Sequence, residues 1–572
     1  MYRSFILIAL AMVIYAQSAL AQSPLRFKQM REIRDGGRVE ALSASDFELL
    51  GDPMFSLLLK KNADKVRLSE IQNAIQPEAS KRHLFVVDEA IVSSTQPGGR
   101  RVVIAFEGTN GTEKVHGNVM LSVFLSNREL ADLQDIEAWG WDNLLGRYNY
   151  YKLDAAGSRD GARTWKFRGS SVGTEFMSAK ERVGTCMRCH VTGAPIMKEL
   201  FIPWNNWHAG VGGSFTADYL VPSSTAANKW PVASTSALER LSTADKLEVD
   251  FMVPALRRFN ESRVNGSVLR TDATGNRAAN NAGRMTVLAG RRLLRSLFET
   301  VEVNLISSRD TSGAHPLGTP GPTPAAKIRI PLSFFLNADL MFGQRGAIRG
   351  LGIAASEVPQ GDLTQEENNA LIAKFNVSLG NSRGDTHFAW FVPEVAFIDN
   401  QLVDLMIKQG IVSPQVVAAA MAIDLEKPVF SAKRAELMKF VPDRFEFTPI
   451  PEGTDPVSMP RDPAKDELAK AMIAAIDAAN PPADSAASEF RTLLKSSDAV
   501  SELQQRVTAY AQRLNTELDR PNPARRQAEL ERLFKCAIDR RRLMLAHPIL
   551  KNLQESRQLL ALPPSAQPAA CA

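Results

Sequence analysis

The sequence feature that most constrains this chain is the five-residue segment Cys-Met-Arg-Cys-His at positions 186–190. Two cysteines three residues apart, followed at once by a histidine, give the pattern Cys-x-x-Cys-His. On a helical turn, residues three and four apart share one face, so Cys186, Cys189 and His190 can reach a single ligand. Two thiols can add across the vinyl groups of a porphyrin, and a histidine ring can bind its iron. The segment therefore predicts one covalent c-type haem, held by Cys186 and Cys189, with His190 as the iron ligand.

The same two cysteines could instead form one corner of a zinc site. Such a site needs a second pair of ligands at similarly close spacing. The chain has four cysteines and seven histidines, and no second pair of them stands at such a spacing. The pattern Cys-x-x-Cys-His also occurs only once, which predicts a single haem. We therefore expect structural roles for five scattered histidines: His83, His116, His315, His387 and His547.

The start of the chain predicts export. Arg3 precedes an apolar run over residues 5–16, and Ala19-Leu20-Ala21 forms a small-x-small cleavage site. The run is too short to span a bilayer, so we expect a signal peptide over residues 1–21 and no integral membrane segment after its cleavage. An uncleaved N-terminal anchor is the alternative. Export together with a covalent haem predicts a periplasmic protein of a Gram-negative bacterium.

The charge balance limits the kind of partner. The formal net charge is +5 at pH 7. This weak basic excess does not favour nucleic acid, but it is compatible with docking to an acidic redox partner protein or to a membrane surface. We therefore expect a redox partner protein and no nucleic acid.

The hydrophobic pattern predicts an α+β fold. Residues 22–80 have the pattern of amphipathic helices, and the following stretches alternate like short strands separated by turns, which is typical of an antiparallel sheet. These stretches are residues 83–93, 101–107, 115–126, 148–153 and 164–167. We expect a haem-binding helix directly after the small sheet, begun by a capping box of Ser178 and Glu181 and ended near Gly193 and Pro195. A large, mainly helical region follows.

Proline- and glycine-rich stretches predict the domain boundaries. Residues 309–326 hold four prolines in nine residues and cannot form regular helix or central strand, so we interpret them as a linker. Residues 448–464 are also proline-rich, and we interpret them as a second linker. The predicted order is a signal peptide (1–21), a helical N-terminal segment (22–80), the sheet with the haem-binding region (81–210), a helical region (211–308), a helical domain (327–447) and C-terminal helices (465–572).

Around the motif the sequence resembles a known family. A late strand with Trp165 and Phe167, followed by Cys186, Cys189 and His190, is similar to the cytochrome c′-β family and its lysine-crosslinked, hydroxylamine-oxidising relatives. The resemblance covers at most residues 80–195. It implies a sheet that covers the haem, an open sixth iron position and a distal pocket for small nitrogen oxides. The chain departs from that pattern because it continues for about 380 residues past the motif and shows no assignable crosslinking lysine.

Two functions compete at this stage, and whether the protein is an enzyme stays open. The first is electron transfer with a six-coordinate iron; the second is a haem-dependent oxidoreductase or a small-ligand binder, for nitrogen oxides or peroxide, with an open distal site. Trp204 and Trp207 either form a wall over the haem or belong to an ordinary packing loop. His208 has the reach to ligate the iron from the distal side, whereas the shorter loop to Met197 is barely long enough to pass the porphyrin edge. Because bulky apolar neighbours suit exclusion of water better than ligation, we expect His208 not to be a ligand.

Two further patterns carry expectations. Residues 169–173 read Gly-Ser-Ser-Val-Gly and match the nucleophile elbow of hydrolases, with His387 and Asp399 downstream. That elbow requires a parallel sheet, so we expect an ordinary loop instead. Cys536 and Cys571 are left for a disulfide in an exported chain, with two independent thiols as the alternative.

Overall fold

The fold was analysed in a computed structural model. The residues that it describes are 31–34, 38–41, 48–62, 65–88, 100–125, 135–153, 165–171, 174, 185–188, 190, 192–195, 244–269, 283–301, 303–306, 327–330, 332–343, 348–354, 362–375, 392–457, 459 and 465–546. These residues fall into two compact units, the first ending at Ala255 and the second beginning at Leu256. A β-sheet and many helices are both present, which confirms the predicted α+β class.

The first unit is built on a six-stranded sheet. Ten strands precede the second unit: β1 (Arg31–Arg34), β2 (Arg38–Ala41), β3 (Arg82–Asp88), β4 (Arg100–Phe106), β5 (Thr109–Asn110), β6 (Glu113–Lys114), β7 (Val119–Leu125), β8 (Ile136–Asp142), β9 (Arg147–Leu153) and β10 (Trp165–Ser170). The sheet order is β10-β9-β8-β7-β4-β3, and every neighbouring pair is antiparallel. The predicted antiparallel sheet is therefore confirmed, and it also contains β8, which the sequence pattern did not indicate.

Both faces of this sheet are covered where β9 crosses it. Successive side chains of a strand point to opposite faces, so Asn149 and Tyr151 lie on one face and Tyr148 and Tyr150 on the other. All four are buried, and of the β9 side chains only Lys152 is partly exposed. Strand β9 is thus covered on both faces.

A helical segment packs on the face that carries Tyr151. It comprises a wide turn at Met54–Leu59, the short helix Lys60–Asn62 and helix α1 (Leu68–Ile75). Its inward side chains are fully buried, and the Trp165 indole N–H donates to the Lys65 carbonyl at 3.2 Å. The prediction of a helical segment over residues 22–80 is correct here, but it is wrong for residues 31–34 and 38–41, which form the paired strands β1 and β2.

The second unit is mainly helical. Its helices are α2 (Val253–Ser267, which begins in the first unit), α3 (Gly290–Phe298), α4 (Leu332–Phe335), α5 (Ala338–Phe342), α6 (Gln365–Phe375), α7 (Phe397–Gln409), α8 (Pro414–Ala422), α9 (Ala432–Ala435), α10 (Glu467–Ala479), α11 (Ala486–Lys495), α12 (Ala499–Glu517) and α13 (Pro523–Ala546). Every residue of α8 is buried, as expected for a helix that is apolar on all sides. Ser413 caps its first turn by accepting from the Val416 N–H. None of the helices that the structure describes is long and apolar enough to cross a membrane.

Short two-stranded ladders correct the predicted domain boundaries. They pair β11 (Met285–Val287) with β16 (Phe445–Phe447), β12 (Val303–Ile306) with β15 (Val392–Val395), and β13 (Lys327–Arg329) with β14 (Asp362–Thr364). The first two ladders join the predicted region 211–308 to the predicted domain 327–447, so these are not separate domains. Residues 309–326 themselves lie outside the described residues.

The second predicted linker does not separate domains either. In its described part, the Ile450 N–H donates to the Gln409 carbonyl at 3.3 Å, and Asp455 forms an ion pair with Arg349 at 2.6 Å. Residues 448–457 therefore run along the second unit, and the C-terminal helices from residue 465 belong to the same unit.

Candidate haem site

The motif lies on the face of the sheet that carries Tyr148 and Tyr150. Cys186–Arg188 form one turn of 3-10 helix. The His190 N–H donates to the Cys186 carbonyl at 3.0 Å, which extends the turn and brings both residues to one side of it. Among the described residues, the predicted haem-binding helix is thus reduced to this turn. Ser178 and Glu181, its predicted capping box, lie outside the described residues.

His190 is held by a backbone carbonyl. Its Nδ1 atom lies 2.8 Å from the Ala194 oxygen. Because a carbonyl only accepts hydrogen bonds, Nδ1 must carry the proton, and the lone pair is on Nε2. Metal-binding histidines are commonly fixed in this way, with one nitrogen bound to a carbonyl and the other directed at the metal. The predicted ligand therefore has the tautomer that binding through Nε2 requires.

Tyr150 contacts both the His190 ring and the chain that follows it. The two ring centroids are 4.9 Å apart, with the planes inclined by 36°. The Tyr150 hydroxyl donates to the Gly193 carbonyl at 2.8 Å, and its side chain is 2% exposed. We call His190 together with residues 192–195 the His190 loop. Strand β9 thus supports this loop through one buried side chain.

Gly193 lets the His190 loop approach the end of β10. Its φ angle is +80°, a conformation that glycine adopts at little cost. A Cβ atom at this position would lie 2.7 Å from the Ser171 carbonyl oxygen and 3.0 Å from the Thr174 methyl carbon. The Gly193 N–H donates to the His190 carbonyl at 2.9 Å. The prediction that the helical turn ends at Gly193 agrees with this geometry.

The structure describes one of the two predicted attachment thiols. Cys186 is half-buried and takes no part in a disulfide, so its side chain is a thiol. Met187 beside it is 1% exposed and lies against β10, where its Cγ would be 3.9 Å from a Cβ at Gly169. Met187 thus anchors the turn on the sheet and leaves Cys186 at the surface of the layer. Cys189 lies outside the described residues.

An aromatic wall flanks the motif. Trp139 and Trp141 of β8 share the face of Tyr148 and Tyr150, as the strand register shows. The Trp139 and Trp141 rings lie 4.9 and 4.7 Å from the Tyr148 ring, and all four side chains are nearly buried. In the sequence, this wall corresponds to aromatic residues two positions apart on each side of the β8–β9 turn: Trp139 and Trp141 before it, and Tyr148 and Tyr150 after it. The sequence did not predict this wall. It left open a wall or a packing loop at Trp204 and Trp207, which lie outside the described residues, as do the ligand candidates His208 and Met197.

The hydrolase interpretation of residues 169–173 is contradicted. The Ser171 hydroxyl accepts from the Tyr148 N–H at 2.9 Å, and the Ser171 N–H donates to the Tyr148 carbonyl at 2.8 Å. The adjoining strands are antiparallel, whereas a nucleophile elbow needs a parallel sheet. Ser171 therefore ties β10 to β9.

A second polar cluster lies on the opposite face of the sheet. The fully buried Asp52 carboxylate accepts from the Tyr151 hydroxyl at 2.6 Å, the Asn149 amide at 2.8 Å and the Phe55 N–H at 3.0 Å. The pKa of Asp52 is raised to about 6, mainly by burial and slightly by the nearby Asp142 charge, while the three hydrogen bonds offset part of the rise. Burial likewise raises the pKa of Tyr151 well above its ordinary value. This cluster joins the helical segment to the sheet.

The part of the chain that the structure describes contains no group of three or more His, Cys, Asp or Glu residues that could hold a metal ion. A haem needs fewer ligands from the protein, because the porphyrin supplies four iron ligands and the chain supplies the axial one. The His190 tautomer and the Cys186 thiol meet that smaller requirement.

Comparison with known proteins adds no relative. No family model, no curated protein and no solved structure matches this chain.

Proposed function

We propose that this protein is an exported c-type cytochrome that carries one covalent haem and acts in electron transfer. The observation that carries the proposal is the 2.8 Å hydrogen bond between His190 Nδ1 and the Ala194 carbonyl. It directs the histidine of a Cys-x-x-Cys-His segment toward ligation through Nε2. The export pattern of residues 1–21 supports a periplasmic location.

The two cysteines and the histidine of the motif would have different roles at such a site. The Cys186 and Cys189 thiols would each add S–H across one vinyl group, forming a carbon–sulfur bond without any oxidant. His190 would bind the iron, and the haem when bound supplies a one-electron Fe(III)/Fe(II) couple. The buried aromatic wall excludes water beside the motif, which lowers the local dielectric and favours the less charged reduced state.

A small-ligand-binding haem protein or haem-dependent oxidoreductase is the second candidate. The resemblance to the cytochrome c′-β family favours it, because that family has an open sixth position. The two candidates differ in one observable. A six-coordinate electron carrier keeps its reduced spectrum when carbon monoxide is added, whereas an open site changes it. If the site is open, His208→Ala should leave the resting spectrum unchanged. A redox partner protein belongs to the first candidate by definition.

Covalent attachment is the first test. The chain is produced with a c-type haem maturation system, and the haem is extracted with acidic organic solvent. We expect the haem to remain on the polypeptide in the wild type and to be lost or extracted in the Cys186→Ala/Cys189→Ala double variant. Cys571→Ala, which removes a cysteine outside the motif, should retain it. Complete extraction of haem from the wild type would refute the proposal.

A further inference from the structure

Two tyrosines on one strand make similar hydrogen bonds to different parts of the chain. Tyr148 and Tyr150 lie on the same face of β9, and both are buried. The Tyr148 hydroxyl donates to the Ala255 carbonyl at 2.9 Å, far from the motif in sequence. The Tyr150 hydroxyl donates to the Gly193 carbonyl at 2.8 Å, inside the His190 loop. The two residues therefore differ chiefly in what their hydroxyl groups hold.

We propose that Tyr150 is a positioning residue that sets the hydrogen bond of His190, and through it the reduction potential of the iron. This inference rests on the proposed haem, but its first step concerns the chain alone. Tyr150 has no contact with the reacting iron in this proposal. It acts through the Gly193–Ala194 peptide and through the His190 ring.

The first step is geometric. The Gly193 carbonyl and the Ala194 N–H belong to one planar peptide unit, so a bond to that carbonyl fixes the plane. The next carbonyl along the chain is that of Ala194, which accepts from His190 Nδ1. Gly193 has no side chain to restrict its backbone, and its φ angle of +80° lies outside the range of most residues. The Tyr150 hydroxyl restricts this peptide at 2.8 Å from its carbonyl, whereas the contact of the Ala194 N–H with the Thr192 hydroxyl is longer, at 3.5 Å.

The second step limits rotation of the imidazole. The Tyr150 ring lies 4.9 Å from the His190 ring at 36°, so it covers one side of the ligand. Ala194 is fully buried, and its carbonyl lies in a water-poor environment where a hydrogen bond is electrostatically stronger. The Tyr150 side chain therefore restricts both partners of one hydrogen bond: the His190 ring, which donates, and the Ala194 carbonyl, which accepts.

The third step connects this bond to the iron. A strong Nδ1–H···O bond makes the imidazole a more basic ligand, which stabilises the more highly charged oxidised iron. Weakening the bond should therefore raise the reduction potential. We expect a shift of about threefold in the reduction equilibrium for loss of the Tyr150 hydroxyl, or about 30 mV at 59 mV per tenfold.

Tyr150→Phe and Tyr148→Phe form a matched pair for the test. Each keeps its aromatic ring and loses one buried hydroxyl that donates to a carbonyl. Haem per chain is measured first, and then the midpoint potential of each full-length holoprotein. We expect wild-type haem content in both variants, a raised potential in Tyr150→Phe and an unchanged potential in Tyr148→Phe. Equal shifts in both variants, or none in either, would overturn the proposal.

A haem-free measurement separates failure of this inference from failure of the haem proposal. The ¹⁵N chemical shifts of the His190 ring in the full chain without haem report which nitrogen carries the proton. We expect the Nδ1–H form in the wild type and in Tyr148→Phe, and a mixture of tautomers in Tyr150→Phe. An unchanged Nδ1–H form in Tyr150→Phe would overturn the positioning role even if no variant binds haem.

A second change at position 150 guards against a variant that fails to fold. Difluorotyrosine introduced at this position keeps the ring and the hydroxyl, and its more acidic hydroxyl is a stronger donor. It should hold the His190 loop more firmly and move the potential downward, opposite to Tyr150→Phe. An upward shift with difluorotyrosine would contradict the proposal.

Discussion

At the scale of single residues, Gly193 shows how close the His190 loop comes to the sheet. Alanine at this position would need a positive φ angle, at a cost of roughly 1–2 kcal/mol. Its Cβ would also stand 2.7 Å from the Ser171 carbonyl oxygen, so backbone would have to move. We expect Gly193→Ala to lower the free energy of unfolding by about 2–4 kcal/mol in total. Urea unfolding followed by tryptophan fluorescence measures this loss.

Gly111 provides the matched control for Gly193. It also has a positive φ angle, +59°, but no atom lies within 4 Å of the position of its Cβ. Gly111→Ala should therefore cost only the backbone strain of a positive φ angle, roughly 1–2 kcal/mol. Equal losses for the two variants would show that the His190 loop does not lie against Ser171.

The same loop shows which site residues a sequence can reveal. Cys186, His190 and Gly193 were identifiable because short-range spacing and helix-ending chemistry are local properties. The Ala194 carbonyl and Tyr150 were not, since a backbone acceptor has no sequence signal and Tyr150 meets His190 only through the pairing of distant segments. That Ser171 is not a nucleophile was predictable from the antiparallel pattern, but its bond to Tyr148 was not, because that bond also depends on strand pairing.

At the scale of elements, two carboxylates join the helical segment to the sheet. Asp52 accepts from Tyr151 and Asn149 of β9, and it caps the turn at Met54–Leu59 through the Phe55 N–H. Its Oδ1 lies 2.2 Å from where a Gly140 Cβ would stand, so β8 must carry glycine there. Asp142 accepts from the Gly51 and Leu145 N–H groups, which ties the same segment to the β8–β9 turn.

The Asp52 cluster predicts a specific dependence of stability on pH. Folding raises the pKa of Asp52 from 3.8 to about 6. The folded protein therefore binds a proton at Asp52 more tightly than the unfolded chain does. The stabilisation of the folded state by this tighter proton binding is fully present below pH 4 and is lost as the pH rises through 6. A shift of about two pKa units corresponds to about 3 kcal/mol. We expect the free energy of unfolding of the wild type, relative to Asp52→Asn, to fall by about that amount between pH 4 and pH 7.

Urea unfolding of both proteins at several pH values measures this difference. Asp135→Asn is the control, because Asp135 is a partly exposed carboxylate that pairs with Lys152 at 3.1 Å. Its substitution should change stability by less than about 1 kcal/mol across the same range. A wild-type curve parallel to that of Asp52→Asn would rule out titration of Asp52 in this window.

The elements also show where periodicity fails as a predictor. The predicted stretches 101–107, 115–126 and 148–153 overlap β4, β7 and β9, and the mainly helical character of the chain after the motif was also predicted. Strand β8 was not predicted because six of its seven residues are buried, so polar and apolar residues do not alternate along it. The β1–β2 hairpin escaped because four-residue strands are too short to show a period, although Asp35-Gly36-Gly37 between them is a turn signal.

At the scale of the whole molecule, the chain has fewer units than its prolines suggest. Residues 309–326 have a linker composition, yet β12 and β15 on either side of them pair with each other. Pairing between strands about 90 residues apart in sequence is decided by the packed core and leaves no local signal. A proline-rich stretch therefore excludes regular structure locally, but it does not by itself divide a chain into domains.

The four cysteines give a covalent test of the whole chain. Cys536 in α13 is disulfide-bonded and 2% exposed, and its partner lies outside the described residues. If the haem occupies Cys186 and Cys189, that partner must be Cys571, which closes a loop worth about 3–4 kcal/mol in the chain-entropy model. Such a bond forms in the oxidising compartment that export would provide.

Peptide mapping of the unreduced holoprotein reads both kinds of bond at once. We expect one peptide that carries haem on Cys186 and Cys189, and a separate pair of peptides joined through Cys536 and Cys571. Dithiothreitol should split the second and leave the first intact, because thiols exchange with disulfides and not with thioethers. A peptide joining Cys536 to Cys189 would remove one attachment point, and with it the Cys-x-x-Cys-His assignment. The two bond types are thus mutually exclusive uses of Cys189, and one digest decides between them.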